Sequence, residues 1–231
     1  MSGYSNFLHR LIAYRETSRL TQKEMAEMFG VHQSHYGRYE AGERGIGFKS
    51  LQCFESNGGD LFRLITGCER PRGPIGDYLE MCKTDAGKEN LLGLLVWSVD
   101  FGFWMDGRDR GDSTTSVKKC MRLVEAKVEG QTLWEKIRKV EGMTQLEMSS
   151  ALDIEVKRYR RIEKAEIDPD VEVLCNLYDK IQYSPQKFID IEAFYVDELN
   201  FYWNMLSSES KGFLKKIIDA GVQRIKIKET V

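Results

Sequence analysis

Thr21-Gln22-Lys23-Glu24-Met25 returns 123 residues later as Thr144-Gln145-Leu146-Glu147-Met148. At the same offset Arg15 falls on Arg138, Tyr36 on Tyr159, Arg38 on Arg161, Glu40 on Glu163 and Leu51 on Leu174, with no gap anywhere. A repeat this distant is not the short period of a solenoid. It predicts two copies of one small domain, at residues 7–67 and about 131–191.

Each copy carries the same local signals. Thr21-x-x-Glu24 and Thr144-x-x-Glu147 are capping boxes, in which the threonine oxygen accepts from a first-turn amide and the glutamate reaches back to the cap. Each opens a short helix of about eight residues. Gly30 ends the first helix. Asp153, a residue that tolerates a left-handed backbone, takes that place in the second. Val31 and Ile154 follow as apolar turn residues, and a further helix runs to Gly42 in one copy and to about Ala165 in the other. Tyr36 and Tyr39, like Tyr159 and Ile162, are spaced to face inward. Two short helices joined by a tight turn form a helix-turn-helix.

The order of these signals resembles the lambda-repressor and Cro family, also called the XRE type. The resemblance covers about 60 residues in each copy, including the flanking helices. It implies an all-α chain of two lambda-repressor-like helix-turn-helix domains joined by a helical connector, with C-terminal helices beyond. The expected layout is residues 1–67 for the first domain, 68–130 for the connector and linker, 131–191 for the second domain and 192–231 for the C-terminal amphipathic helices.

The resemblance also implies roles for particular residues. An arginine of the family's first helix pairs with a glutamate late in the recognition helix, which makes Arg15–Glu40 and Arg138–Glu163 structural ion pairs. Gln22, and Gln145 in the second copy, match the family's phosphate contact at a helix N-terminus, where backbone amides favour an anion. The recognition helix enters the major groove by its N-terminal residues. In the first copy these are His32, Gln33, Ser34, His35 and Arg38, with Arg44 just beyond the helix. Glutamine suits adenine and arginine suits guanine through paired hydrogen bonds.

In the second copy the corresponding face carries Lys157, Arg158, Arg160 and Arg161, so four of the five residues from 157 to 161 are basic. Such a surface seeks phosphate. Val156 stands where a polar base reader is usual, and the loop Glu166-Ile167-Asp168-Pro169-Asp170 opposes DNA with like charge. The net charge is +1 over residues 7–67 and −2 over 131–191. Whether the second copy reads DNA or serves as scaffold stays open.

The connector is mixed. Pro71-Arg72-Gly73-Pro74 breaks structure, and a helical stretch follows from about Tyr78 to Met105. Residues 106–113 are polar and Gly-rich, as in a linker, and Val117, Cys120, Met121, Val124 and Val128 fall at helical spacing. Residues 192–220 read as two amphipathic helices. Trp97, Phe101, Phe103 and Trp104 form an aromatic stripe, a pattern more typical of core than of a ligand site.

The bulk properties exclude little. With 231 residues and 42% hydrophobic content the chain can build one or two real cores. A net charge of −2 and a pI near 6.0 leave nucleic-acid binding open, since a local basic patch is enough. Five scattered cysteines, with no CxxC, suggest reduced thiols rather than a disulfide framework or zinc site. The first 20 residues are interrupted by charge, and the most apolar run, Leu91 to Met105, is short for a membrane span. A cytoplasmic protein with no cofactor, metal or membrane contact is expected. Phosphate-cradling glycine loops, HExxH, GxSxG and Cys/His pairings are absent, so an enzyme is not expected.

The function these readings favour is a sequence-specific transcriptional regulator whose partner is double-stranded DNA. The two copies then act in cis on two half-sites, or the chain forms a homodimer through residues 78–105 or 192–220. The competing class is an antitoxin-like or coactivator-like protein-interaction module of the same fold. Operator, sign of regulation and any small-molecule or peptide inducer are not legible.

Overall fold

A computed structural model describes residues 3–108, 132–183 and 191–229, and all of the regular elements among them are helical. They fall into two compact units, each discontinuous in sequence: residues 1–70 with 131–191, and 71–130 with 192–231. The helix expected around Val117–Val128 lies outside the described residues.

In the first unit, residues 3–67 form α1 (Gly3–Thr17), α2 (Gln22–Met28), α3 (Gln33–Glu40), α4 (Phe48–Ser56) and α5 (Leu61–Thr66). Residues 132–183 form α8 (Leu133–Val140), α9 (Gln145–Ala151), α10 (Val156–Glu163) and α11 (Val171–Asn176), the last continued by a π-helical turn over Leu177–Ile181. Shifted by 123, α2 and α3 coincide with α9 and α10 residue for residue. Both capping boxes are formed, with Thr21 Oγ1 accepting from Glu24 N and Thr144 Oγ1 from Glu147 N, each at 3.2 Å. Such a cap contributes on the order of 1 kcal/mol.

The turns match as well. Gly30 has φ +64° and Asp153 φ +58°; Gly42 has φ +68° and Ala165 φ +56°. Glycine takes this left-handed backbone without strain and aspartate at small cost, whereas alanine at 165 is the least comfortable of the four.

The cores differ in chemistry at equivalent positions. Phe29 stacks on Phe54 at 4.5 Å, with Tyr14 edge-on to Phe54 and Tyr36 tilted against Phe29. The counterparts of Tyr14, Phe29 and Phe54 are Ile137, Leu152 and Leu177, all fully buried. Three aromatic positions of one stretch are thus buried aliphatic ones in the other, while Tyr36 keeps an aromatic counterpart in Tyr159, and burial drives all of them.

The two stretches pack on each other within the unit. An isolated antiparallel bridge joins Gly47 to Asp170, and Val171 N donates to Ile46 O at 3.0 Å. Gly47 and Asp170 are themselves equivalent at the 123 offset. Helix α1 also packs on α11, and its Gly3 closely approaches Asp179 in the π-helical turn that follows, leaving no room for a Cβ.

The second unit is built from α6 (Ile75–Glu80), α7 (Asp85–Met105), α12 (Ile191–Met205) and α13 (Ser208–Glu229). The sequence predicts one helical stretch from about Tyr78 to Met105. The structure breaks it into α6 and α7, because Thr84 has extended backbone and caps Gly87 N at 3.0 Å. The apolar faces of residues 78–105 and 192–220 bury each other: Leu91, Leu95, Val99 and Phe103 pack with Leu199, Trp203, Leu214 and Ile218. Gly102 permits the close crossing, since a Cβ there would lie 2.7 Å from Leu214 Cδ1. Asp106, the first residue of the expected linker, clasps the start of α13 by accepting from Ser207 N, Ser207 Oγ and Ser210 Oγ at 2.6–2.8 Å.

The aromatic stripe of α7 divides between faces. Phe103 is core, whereas Trp97 and Trp104 are 45% and 57% exposed and stack on Phe101 from either side. Core packing, expected for the whole stripe, holds for only part of it. The helix is apolar almost all round, so composition alone does not say which face is covered. No helix among the described residues is long and apolar enough to cross a membrane.

Candidate nucleic-acid interface

The geometry of α2 and α3 is set by a buried carboxylate. Glu40, late in α3, accepts from Arg15 Nε at 2.6 Å, from Gln22 Nε2 at 2.8 Å and from Tyr36 OH at 2.8 Å. Helix α1, the start of α2 and the face of α3 therefore converge on one side chain. Residues 132–183 repeat the arrangement: Glu163 accepts from Arg138 Nε, Gln145 Nε2 and Tyr159 OH. Burial pushes both carboxyls upward in pKa, but the donated hydrogen bonds and the guanidinium beside each outweigh it and hold both below the ordinary glutamate value. The two tyrosine hydroxyls are pushed well up, chiefly by burial and then by the adjacent carboxylate.

This network engages two residues that the sequence suggests as phosphate contacts. Gln22 and Gln145 are half-buried, and the amide nitrogen of each is committed to its glutamate. Gln145 Oε1 in turn accepts from Arg160 Nε at 3.0 Å. The resemblance implies a phosphate contact for this glutamine, and the second N–H of each amide remains for one. Here the glutamine fixes the angle between the two helices, and α9 thereby also steers Arg160.

On α3, Gln33, Ser34 and Arg38 are exposed and His35 is half-buried. His32 is the N-cap: its Nδ1 accepts from Ser34 N at 3.3 Å and lies 2.9 Å from Ser34 Oγ. His32 and Ser34 thus shape the helix start, and Gln33 and Arg38 are the freer donors. Arg38 meets Glu43 at 3.7 Å and its counterpart Arg161 meets Glu166 at 3.8 Å, both pairs in solvent where such contacts are weak. Lys157 is exposed. Arg158 is held: its Nη2 donates to Asp170 Oδ2 at 2.6 Å.

The starts of α3 and α10 border one groove. His35 and Arg158, equivalent at the 123 offset, line it together with Gly47, Asp170, Arg44 and Lys49. The groove sits at the Gly47–Asp170 bridge, so the starts of the two helices flank that bridge. Lys49 is exposed and absent from the residues suggested by sequence; its one legible signal is its closeness to Arg44. The Arg158–Asp170 pairing has no sequence signal, because a 12-residue spacing across a loop belongs to no periodic element.

Among the described residues no group of three or more His, Cys, Asp or Glu side chains is placed to hold a metal ion. Residues 11–52 match the family model described as Helix-turn-helix, the XRE type of DNA-binding regulators. The match spans α2 and α3 with parts of α1 and α4. No curated protein and no solved structure matches the chain.

Proposed function

We propose that this chain is a sequence-specific transcriptional regulator that grips DNA as an internal pseudo-dimer. Residues 131–191 serve as a second XRE-type domain beside the first, and α3 and α10 are the two recognition helices. The observation that carries this reading is the antiparallel bridge between the equivalent residues Gly47 and Asp170, with His35 and Arg158 on one groove beside it. Paired domains of this kind place recognition helices about 34 Å apart, one turn of DNA. A single chain then supplies what two chains supply in a homodimer.

Mutual burial of residues 78–105 and 192–220 in the second unit supports the cis arrangement over dimerisation through those segments. The two heads are unlike. Helix α3 offers Gln33 and Arg38 to base edges, and α10 offers a cationic face to phosphate. The site is therefore bipartite and non-palindromic.

Binding of the full chain to a mixed-sequence duplex, followed by anisotropy across a salt series, tests the reading. The expected result is one chain per duplex with log K falling linearly in log salt, by about 0.9 for each phosphate neutralised. Absence of binding at low salt would refute DNA recognition and favour the protein-interaction alternative.

A further inference from the structure

The two recognition helices share a scaffold but differ in one device. The third residue of α10 is Arg158, the residue type best suited to paired hydrogen bonds with guanine. Its guanidinium is tied to Asp170, whose carboxylate has both oxygens in use: Oδ2 accepts from Arg158 Nη2 at 2.6 Å and Oδ1 caps α11 by accepting from Val173 N at 3.1 Å. The capped helix and the bridge to Gly47 fix the position of this carboxylate. In the first stretch the matching residues are His35 and Gly47, and Gly47 has no side chain with which to hold anything.

We infer that Asp170 is a specificity-determining residue that withholds Arg158 from the bases, so that the second head grips DNA without reading a base at that position. The inference rests on the proposed tandem reading. A carboxylate in the groove beside α10 also repels phosphate, and its pairing with Arg158 removes both the reader and most of the repulsion together. The result is a site in which the half under α3 carries the sequence information. Release of Arg158 would convert the second head from gripping to reading.

Asp170→Asn separates the parts, since asparagine caps a helix as well as aspartate does and carries no charge. Asp170→Ser, which also caps, serves if the first variant is unstable. Asp168→Asn removes the same charge two residues away, where no ion pair exists among the described residues, and so frees no arginine. Bound sites are selected from a random duplex pool by the full chain and by each variant. The native chain and Asp168→Asn are expected to show no guanine preference at the α10 position. Asp170→Asn is expected to gain one of about five- to one-hundred-fold, and the double variant Asp170→Asn/Arg158→Ala to lose it again. A native preference that Arg158→Ala removes would overturn the inference, as would an Asp170→Asn profile identical to native. A native chain that selects no sites at all overturns the tandem DNA reading itself, a different and recognisable failure.

Discussion

Replacement of Gln33 and Arg38 together by alanine is expected to abolish site-specific binding while leaving the fold intact. Both side chains are exposed on α3, and neither belongs to the Glu40 network. Each good base contact is worth roughly 1–3 kcal/mol, so loss of two costs about 2–6 kcal/mol against the preferred site, or a factor of thirty or more. Residual binding should be the non-specific, salt-steep kind supplied by phosphate contacts. The paired change Arg158→Ala/Arg161→Ala should instead weaken binding to all sequences alike. The two double variants are compared by competition between the selected site and a scrambled duplex. Equal loss of discrimination in both would contradict the division into a reader and a gripper.

The largest effect on stability is expected at Glu163. Its side chain is 7% exposed and takes hydrogen bonds from Arg138, Gln145 and Tyr159. Glu163→Ala leaves Arg138, itself 15% exposed, without its counter-ion and three donors without an acceptor. Removing one partner of a buried ion pair costs about 3–5 kcal/mol. That is a large share of the roughly 5–15 kcal/mol that holds a typical domain together. Hydrogen exchange should show α8 to α10 losing protection, while α2 and α3, organised by Glu40, keep more of theirs.

The same carboxylate predicts a pH dependence. Its pKa in the folded chain lies below that of an unfolded glutamate, near 4.3. The stabilisation is therefore present above the unfolded value and is lost as pH falls through the folded one. Glu40 acts with the same sign. Urea midpoints should be flat near neutrality and fall below about pH 4, and Glu163→Gln should flatten part of that fall. A midpoint that rises on acidification would contradict the assignment.

The legible and illegible features separate by the range of the interaction. Capping boxes, the left-handed turn at Asp153 and the inward Tyr36, Tyr39, Tyr159 and Ile162 are local or periodic, so each leaves a mark within a few residues. The 25-residue spacing from Arg15 to Glu40 is invisible by itself. The family resemblance supplies the pairing, for Arg15–Glu40 and for Arg138–Glu163 alike, and both pairs meet in the structure. The break between α6 and α7 depends on one threonine within an apolar run. The burial of α7 against α13 joins segments more than 100 residues apart, which amphipathic patterning suggests as sticky without naming the partner. Capture of Gln22 and Gln145 by glutamates, and of Arg158 by Asp170, depends on side-chain reach across helices. A list of polar residues on one helix face cannot show which side chains already have partners.

The repeat therefore carries different information at its shared and its unlike positions. Shared residues, Arg15, Gln22, Tyr36 and Glu40 with their counterparts at the 123 offset, build the angle between helices. Unlike residues, Gln33 against Val156, His35 against Arg158 and Gly47 against Asp170, distinguish the two faces that we propose meet DNA. The proposed binding mode is one chain acting as two heads. Hydroxyl-radical footprinting of a selected duplex, at a measured stoichiometry of one chain per duplex, tests this most directly. Two protected tracts of unlike sequence, roughly one helical turn apart, are predicted. A single tract, or a second tract that appears only when a second chain binds, would contradict it.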